Sequence, residues 1–210
     1  MLALVVAASV ARAAPLSEAE LKNLLAAIRQ NRTTRADFQE ERVLRLMKKP
    51  LVSSGAVWFQ PPNKFRREVK GNSPSITVSD GRELWIYYPN FKSAERYPLG
   101  KGSPLDATVA AINSALNLEN IETSFNIAAA KIENGYELQL LPRTAAMKRV
   151  FQKLDLRING QFRVERTDMV LLNGDRIVTT YSNLTRAPIP ASTFEFKPPA
   201  STQVTTPLGQ

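Results

Sequence analysis

The chain of 210 residues contains neither cysteine nor histidine. Their absence excludes disulfides, thiol catalysis, zinc sites built from these residues and any nucleophile activated by histidine. No pair of acidic residues forms a catalytic motif, and Asp80, which precedes Gly81, is better explained as a turn residue. We therefore expect a protein that is not an enzyme and that has no metal site and no cofactor.

Long hydrophobic runs are also missing. The apolar run Leu2–Val10 is too short to cross a bilayer as a helix. Ala11-Arg12-Ala13 follows it and fits a processing site of the A-x-A type before Ala14. A signal peptide over residues 1–13 is therefore predicted, and since no basic segment precedes it, we expect its true start upstream. An ordinary N-terminal helical turn stays open as the alternative.

Acidic residues are fewer than basic ones. The chain has 28 Lys and Arg against 19 Asp and Glu, and residues 29–70 alone hold 11 basic and 4 acidic residues. Arg42, Arg45, Lys48 and Lys49 lie near a bend predicted at the end of the first strand. They could bind an acidic surface of a membrane partner, or they could protect a strand edge from aggregation. Nucleic acid is not expected, because no groove-reading motif accompanies the charges.

Two helices are indicated by spacing and capping residues. The first runs from Ser17 to Asn31, and the second from Ser103 to Leu116, with a short helical piece at Glu119 to Thr123. The apolar face of the first helix must dock on a surface, for which the sheet that follows is available.

The rest of the chain alternates short apolar-rich runs with turn residues, as antiparallel strands do. The strands are predicted at residues 33–47, 54–60, 64–70, 76–78, 83–88, 92–98, 125–132, 136–141, 151–158, 162–172 and 177–184. A sheet of this size curls. We predict an α+β fold over residues 14–199: an unclosed antiparallel β-barrel of about 10–11 strands, with two or three helices forming a lid over a hydrophobic cavity. Residues 200–210 are expected to form a flexible C-terminal tail.

Six short segments, in order, resemble the LolA-type periplasmic carriers of outer-membrane lipoproteins. They are Phe38-Gln39, Gly55-Ala-Val-Trp-Phe59, Pro62-Asn63-Lys-Phe65, Val78-Ser-Asp-Gly-Arg-Glu-Leu-Trp-Ile-Tyr87, Leu141-Pro142-Arg143 and Phe194-Glu-Phe-Lys-Pro-Pro199. The resemblance implies a periplasmic monomer that accepts acylated lipoproteins from an inner-membrane ABC transporter complex. It would shield their acyl chains and pass them to an outer-membrane receptor.

The resemblance also implies a ligand site. The expected wall of the acyl-chain cavity consists of Phe38, Val57, Phe59, Phe65, Ile76, Val78, Trp85 and Tyr87. Arg67 is added because it shares a strand face with Phe65. The wall residues could equally be ordinary core beneath the helices, and Arg67 could instead reach water or Glu68.

Two positions depart from the family pattern. Family members carry an arginine directly before the Pro-Asn turn, where it holds the lid by hydrogen bonds; here Pro61 has no such donor. They also carry an aromatic-x-Trp pair on the next strand, where this chain has Phe65-Arg66-Arg67. These departures suggest an alternative cargo, an anionic lipid or glycolipid intermediate. A lipid-sensing periplasmic regulator with a related fold is a separate alternative.

Overall fold

The structure, a computed structural model, describes residues 14–61, 63–99 and 121–207. The predicted signal peptide and the predicted helix from Ser103 to Leu116 lie outside the described residues. The α-helices are α1 (Glu18–Gln30), α2 (Ile121–Ser124) and α3 (Ala145–Lys148). The strands are β1 (Arg35–Val43), β2 (Leu51–Gln60), β3 (Lys64–Lys70), β4 (Ser75–Ser79), β5 (Glu83–Tyr88), β6 (Ser93–Pro98), β7 (Phe125–Ile132), β8 (Gly135–Pro142), β9 (Phe151–Asn159), β10 (Val164–Leu171), β11 (Arg176–Thr185) and β12 (Gln203–Thr205).

All twelve described strands form one sheet, in the order β12-β6-β5-β4-β3-β2-β1-β11-β10-β9-β8-β7. Only the pairing of β12 with β6 is parallel among these strands; the others are antiparallel. Because β12 and β7 are the two edges, the described sheet is not closed. The prediction of a large unclosed, mostly antiparallel sheet with few helices is confirmed.

The direct pairing of β1 with β11 joins two meanders, the first formed by β1–β6 and the second by β7–β11, into one sheet with a continuous inner face. Residues directly opposite each other on paired strands project to the same side of a sheet. Phe38 of β1 opposes Tyr181 of β11, Thr179 of β11 opposes Thr167 of β10, and Leu156 of β9 opposes Leu138 of β8. We call the side that these residues share the inner face, and the opposite side the outer face.

Helix α1 lies on the inner face of the second meander. Ser17 caps its first turn, since the Ser17 hydroxyl accepts from the Glu20 backbone N–H while the Glu20 carboxylate accepts from Ser17 N–H. Leu24, Leu25 and Ile28 are buried on its apolar side. These three side chains belong to the α1 cluster, whose other buried members are Ile121, Phe125, Ala129, Leu138, Leu140, Met147, Phe151, Leu154, Leu156, Ile158 and Val164. The helix thus docks on β7–β10 and not on the strands that directly follow it.

A second core, the β1–β5 cluster, occupies the inner face of the first meander. Its buried members are Ala36, Phe38, Val57, Phe59, Phe65 and Leu84. Tyr181 of β11 packs against both clusters and therefore marks their junction.

The C-terminal segment covers the outer face of β3–β5. Phe194 is only 1% exposed, and the Arg66 guanidinium donates to the Thr193 carbonyl at 3.3 Å. The Phe196 ring lies 5.6 Å, between ring centroids, from both Trp85 and Tyr87. Beyond this segment, Gln203–Thr205 pair with β6 as β12. The prediction of a flexible tail over residues 200–210 is therefore wrong for these three residues, because the free edge of β6 offers them backbone hydrogen bonds.

No helix in the described ranges has the length and apolar character needed to cross a membrane.

Candidate functional site

Five of the nine predicted site residues come together on the inner face. Phe38, Val57, Phe59 and Phe65 are each between 1% and 4% exposed and pack in the β1–β5 cluster. Val57 opposes Arg67 across β2 and β3, which places the Arg67 side chain on the same face. These five residues therefore share one face of the sheet.

The other four predicted residues lie on the outer face. Ser79 opposes Phe65, whereas Val78 opposes Arg66, so the apolar side chains of β4 project away from the β1–β5 cluster. Trp85 and Tyr87 oppose Val78 and Ile76 and share that outer position. The prediction of a single wall of nine residues is therefore wrong for Ile76, Val78, Trp85 and Tyr87. Their apolar character instead matches the C-terminal segment that covers them.

Several inner-face residues were missed. Ala36, Val69, Leu84, Tyr97, Leu99, Tyr181 and Leu184 also contribute to or pack against the β1–β5 cluster. Leu84 alternates with Trp85 on β5, so correct strand register would have identified it. Tyr181 enters through the β1–β11 pairing, which joins residues far apart in the chain and leaves no local signal.

Arg67 carries a charge onto this apolar face and is paired there. Its Nη2 donates to Glu40 Oε2 at 2.8 Å, and its guanidinium carbon lies 4.4 Å from the centroid of the Phe38 ring. The side chains of Arg67 and Glu40 are 29% and 17% exposed. Glu68, the alternative partner considered from the sequence, instead accepts from Arg66 Nε at 2.6 Å. The inner face therefore holds a partly desolvated ion pair stacked on an aromatic ring.

The junction of the two clusters has its own polar character. Burial is the main cause that raises the pKa of the Tyr181 phenol to about 12. Hydrogen bonds with the hydroxyls of Thr167 and Thr179 partly offset this rise. Both threonines are buried, at 7% and 8% exposure. The phenol is consequently neutral across the physiological pH range.

A small cavity of about 20 Å³ lies at the same junction. Its lining combines the end of α1 with the inner face of both meanders: Ile28, Asn31, Arg32, Thr33, Ala36, Phe59, Phe162, Arg163, Val164, Tyr181 and Leu184. This volume suffices for about one water molecule. A larger guest at this place requires α1 and the sheet to separate.

Two arginines, Arg186 and Arg29, fix the C-terminal end of α1 where it borders this cavity. Arg186 Nη2 donates to the Gln30 carbonyl at 2.9 Å, and its Nη1 donates to Asn31 Oδ1 at 3.3 Å. Arg29 Nη2 also donates to both carboxylate oxygens of Glu122, at 2.8 and 2.9 Å. A cation beside the last carbonyls of a helix interacts favourably with the helix dipole. Pro61, which follows the last residue of β2, has no side-chain donor and makes no such contact with α1.

Comparison with known proteins gives a consistent result. The family model described as "Outer membrane lipoprotein carrier protein LolA" matches residues 29–197. The chain is 28% identical over 181 residues to the outer-membrane lipoprotein carrier protein of Dechloromonas aromatica, covering 84% of this chain and 83% of the relative. It is 30% identical over 154 residues to the carrier of the same name from Methylibium petroleiphilum, covering 72% of each chain.

Among solved structures, the fold is similar to that of an uncharacterized conserved protein from Thermus thermophilus. The TM-score is 0.53 at 15% sequence identity, over 89% of this chain and 99% of that protein. At this identity the likeness concerns the fold alone.

Proposed function

Because the chain belongs to the outer membrane lipoprotein carrier protein LolA family, we propose that it shields lipid acyl chains on its inner face and carries them across the periplasm. The cargo would be an acylated lipoprotein, accepted from an inner-membrane ABC transporter complex and released to an outer-membrane receptor. The family and the named relatives are carrier proteins, and the protein would act as a periplasmic monomer without catalysis.

The observation that carries this proposal is the continuous inner face with its two apolar clusters, joined at Tyr181. Each methylene removed from water contributes about 0.8 kcal/mol, so an acyl chain of roughly 16 carbons gains on the order of 10 kcal/mol by entering such a surface. Separating α1 from the sheet would expose Leu24, Leu25 and Ile28 at a cost of about 1.5–3 kcal/mol each, so the gain is of the same order as this cost.

The acyl chain would enter at the junction of the clusters. The cavity of about 20 Å³ beside Tyr181 lies between the end of α1 and residues of both meanders. Movement of the C-terminal end of α1 away from the inner face would join this cavity to the β1–β5 cluster. The helix is then the lid, and it stays closed only until a ligand with higher affinity for the open form shifts the equilibrium.

Arg186 is the residue best placed to hold the lid. It contacts the last residues of α1 from beyond the end of β11, and it can do so because the carbonyl of Gln30, the last helical residue, has no partner within the helix. In this chain, Arg186 would take the role that the family assigns to an arginine at the position of Pro61.

One observation favours the alternative cargo, an anionic lipid or glycolipid. The Arg67–Glu40 pair lies on the inner face against Phe38. An incoming phosphate or carboxylate could replace Glu40 as the partner of Arg67, which a neutral lipid could not do.

Site-specific photo-crosslinking in cells tests the proposal. Benzoylphenylalanine at Phe59, on the inner face, is expected to crosslink to acylated lipoproteins. The matched control is the same photoreactive residue at Tyr87, on the outer face beneath Phe196, where no lipoprotein adduct is expected. Adducts of equal yield at both positions, or none at Phe59, would contradict the proposal.

A further inference from the structure

The loop between β1 and β2 is anchored to the β10–β11 turn, where both lie at the same end of the central strands. The Arg45 backbone N–H donates to Asp175 Oδ1 at 2.9 Å, and Arg45 Nη1 donates to the Asn173 carbonyl at 3.1 Å. A Cβ at Gly174, whose φ is +82°, would lie 2.8 Å from Arg45 Cδ. The Arg45 side chain therefore rests against the turn, and this end of the strands presents one joined surface. We call residues 42–52 together with Leu172 the basic tip.

Most of the exposed large apolar side chains gather at this tip. Of the nine that the described residues expose, six belong to it: Val43, Leu46, Met47, Leu51, Val52 and Leu172. Leu46 is 100% exposed. Single apolar residues on a surface are ordinary, but a cluster of them marks an interaction site.

The charged side chains of residues 42–52 have one sign, and Asp175 of the adjoining turn accepts from the Arg45 backbone N–H. Residues 42–52 contain Arg42, Arg45, Lys48 and Lys49 and no acidic residue. Apart from Pro50, the remaining members of this stretch are all apolar. The partner must therefore accept apolar side chains and positive charge at the same place.

We propose that the basic tip inserts into the surface of an anionic phospholipid bilayer. Leu46 and Met47 would enter the boundary between headgroups and acyl chains, and the lysines beside them would contact lipid phosphates. A bilayer fits better than an acidic protein, because Leu46 protrudes completely and a fluid surface accommodates it without a matching pocket. This membrane contact depends only on the basic tip and not on the proposed carriage of acyl chains. A carrier of any cargo could use it to orient itself on a membrane.

Flotation of the purified mature protein with lipid vesicles tests the proposal. We expect binding to vesicles of phosphatidylethanolamine and phosphatidylglycerol, and much weaker binding to phosphatidylcholine alone. Each basic residue near an anionic surface contributes about 5-fold in affinity, so Lys48→Gln with Lys49→Gln should weaken binding about 25-fold. Leu46→Ser should weaken it about 10-fold. Because Leu46 is fully exposed, its replacement is not expected to disturb the fold.

Matched controls separate the tip from general charge and hydrophobicity. Lys22→Gln with Lys131→Gln removes the same charge from exposed sites elsewhere, and Phe91→Ser removes an aromatic side chain that is 78% exposed. Both controls should bind anionic vesicles within about 3-fold of the parent protein, since neither alters the tip. Equal losses in the control and tip variants would overturn the proposal. So would full binding by Leu46→Ser, which would indicate a charge contact without insertion.

A second readout uses the absence of cysteine from the chain. An environment-sensitive fluorophore attached through Met47→Cys should shift to shorter wavelength with anionic vesicles, and brominated lipids should quench it. An unchanged spectrum with vesicles, together with binding of the tip to a purified acidic protein, would exclude the bilayer as the partner.

Discussion

Arg67 Nη2, on β3, donates to Glu40 Oε2, on β1, at 2.8 Å across the intervening strand β2 and on the apolar inner face. The guanidinium also lies over the Phe38 ring, with 4.4 Å between the guanidinium carbon and the ring centroid. Removal of one charge would leave the other partly desolvated and without its partner. This lowers the stability of the fold unless a ligand supplies the missing charge. The pair therefore gives a direct test of whether the inner face distinguishes anionic from neutral ligands.

Arg67→Leu is expected to weaken binding of a long-chain fatty acid about 10-fold, because one charge-assisted hydrogen bond is lost. Binding of the fatty alcohol of equal length should change little. Glu40→Gln should strengthen binding of the acid, since it removes the competing carboxylate. Calorimetry with both ligands measures these changes. Arg66→Leu, at the neighbouring outer-face position, is the control; equal losses for acid and alcohol in Arg67→Leu would refute a headgroup role.

Arg186→Ala should loosen the end of α1. The change removes the two donors to Gln30 and Asn31 and a cation at the helix C-terminus, together worth about 1 kcal/mol. Release of a bound fluorescent acyl probe should become about 5-fold faster in stopped-flow measurements. Arg157→Ala, which removes an exposed ion pair with Glu137, should leave the rate unchanged. If both variants release the probe at the parental rate, Arg186 does not hold the lid.

Gly55→Ala should destabilise the sheet strongly. A Cβ at Gly55 would lie 1.8 Å from the Glu68 carbonyl oxygen and 2.9 Å from the Phe38 ring, so β2 and β3 would have to separate. We expect a loss of at least about 2 kcal/mol in the free energy of unfolding, measured by urea denaturation. Gly160→Ala is the matched control, because nothing lies within 4 Å of its added Cβ. Similar stabilities of the two variants would show that the close approach at Gly55 is absent.

Alkaline pH should destabilise the protein through Tyr181. Burial raises the pKa of its phenol to about 12 from the ordinary value of about 10. The stabilisation is complete below about pH 10 and is lost as pH rises towards about 12, because the unfolded chain releases its proton first. Tyr181→Phe should reduce this loss by on the order of 2 kcal/mol. Part of the loss of stability at alkaline pH will remain, since burial also raises the pKa of Tyr97 to about 12. An unchanged pH dependence in Tyr181→Phe would contradict the burial of this phenol.

The sequence predicted the elements better than their contacts. Strands β3 and β5 begin and end at the predicted residues, because apolar alternation and turn residues are local signals. The docking of α1 on β7–β10 was not predictable, since an apolar helix face does not identify its partner. The strand β12 was missed because three exposed residues carry no apolar pattern.

The candidate site shows the same limit. Alternation along β3 correctly placed Arg67 with Phe65, but its partner Glu40 lies 27 positions away on another strand. Four outer-face residues were assigned to the inner face because β4 is more apolar on the side that Phe196 and its neighbours cover. Register between strands depends on such long-range cover, and a single strand does not reveal it.

Native mass spectrometry of the protein gently purified from the periplasm shows directly whether the inner face carries acyl chains. We predict a bound acylated lipoprotein, or an anionic lipid if the alternative cargo is correct. Val57→Glu, on the inner face, should abolish the bound species, while Tyr87→Glu, on the outer face, should retain it in whatever fraction remains folded. A protein that is free of acylated species, or that carries them equally in Val57→Glu, would contradict the account.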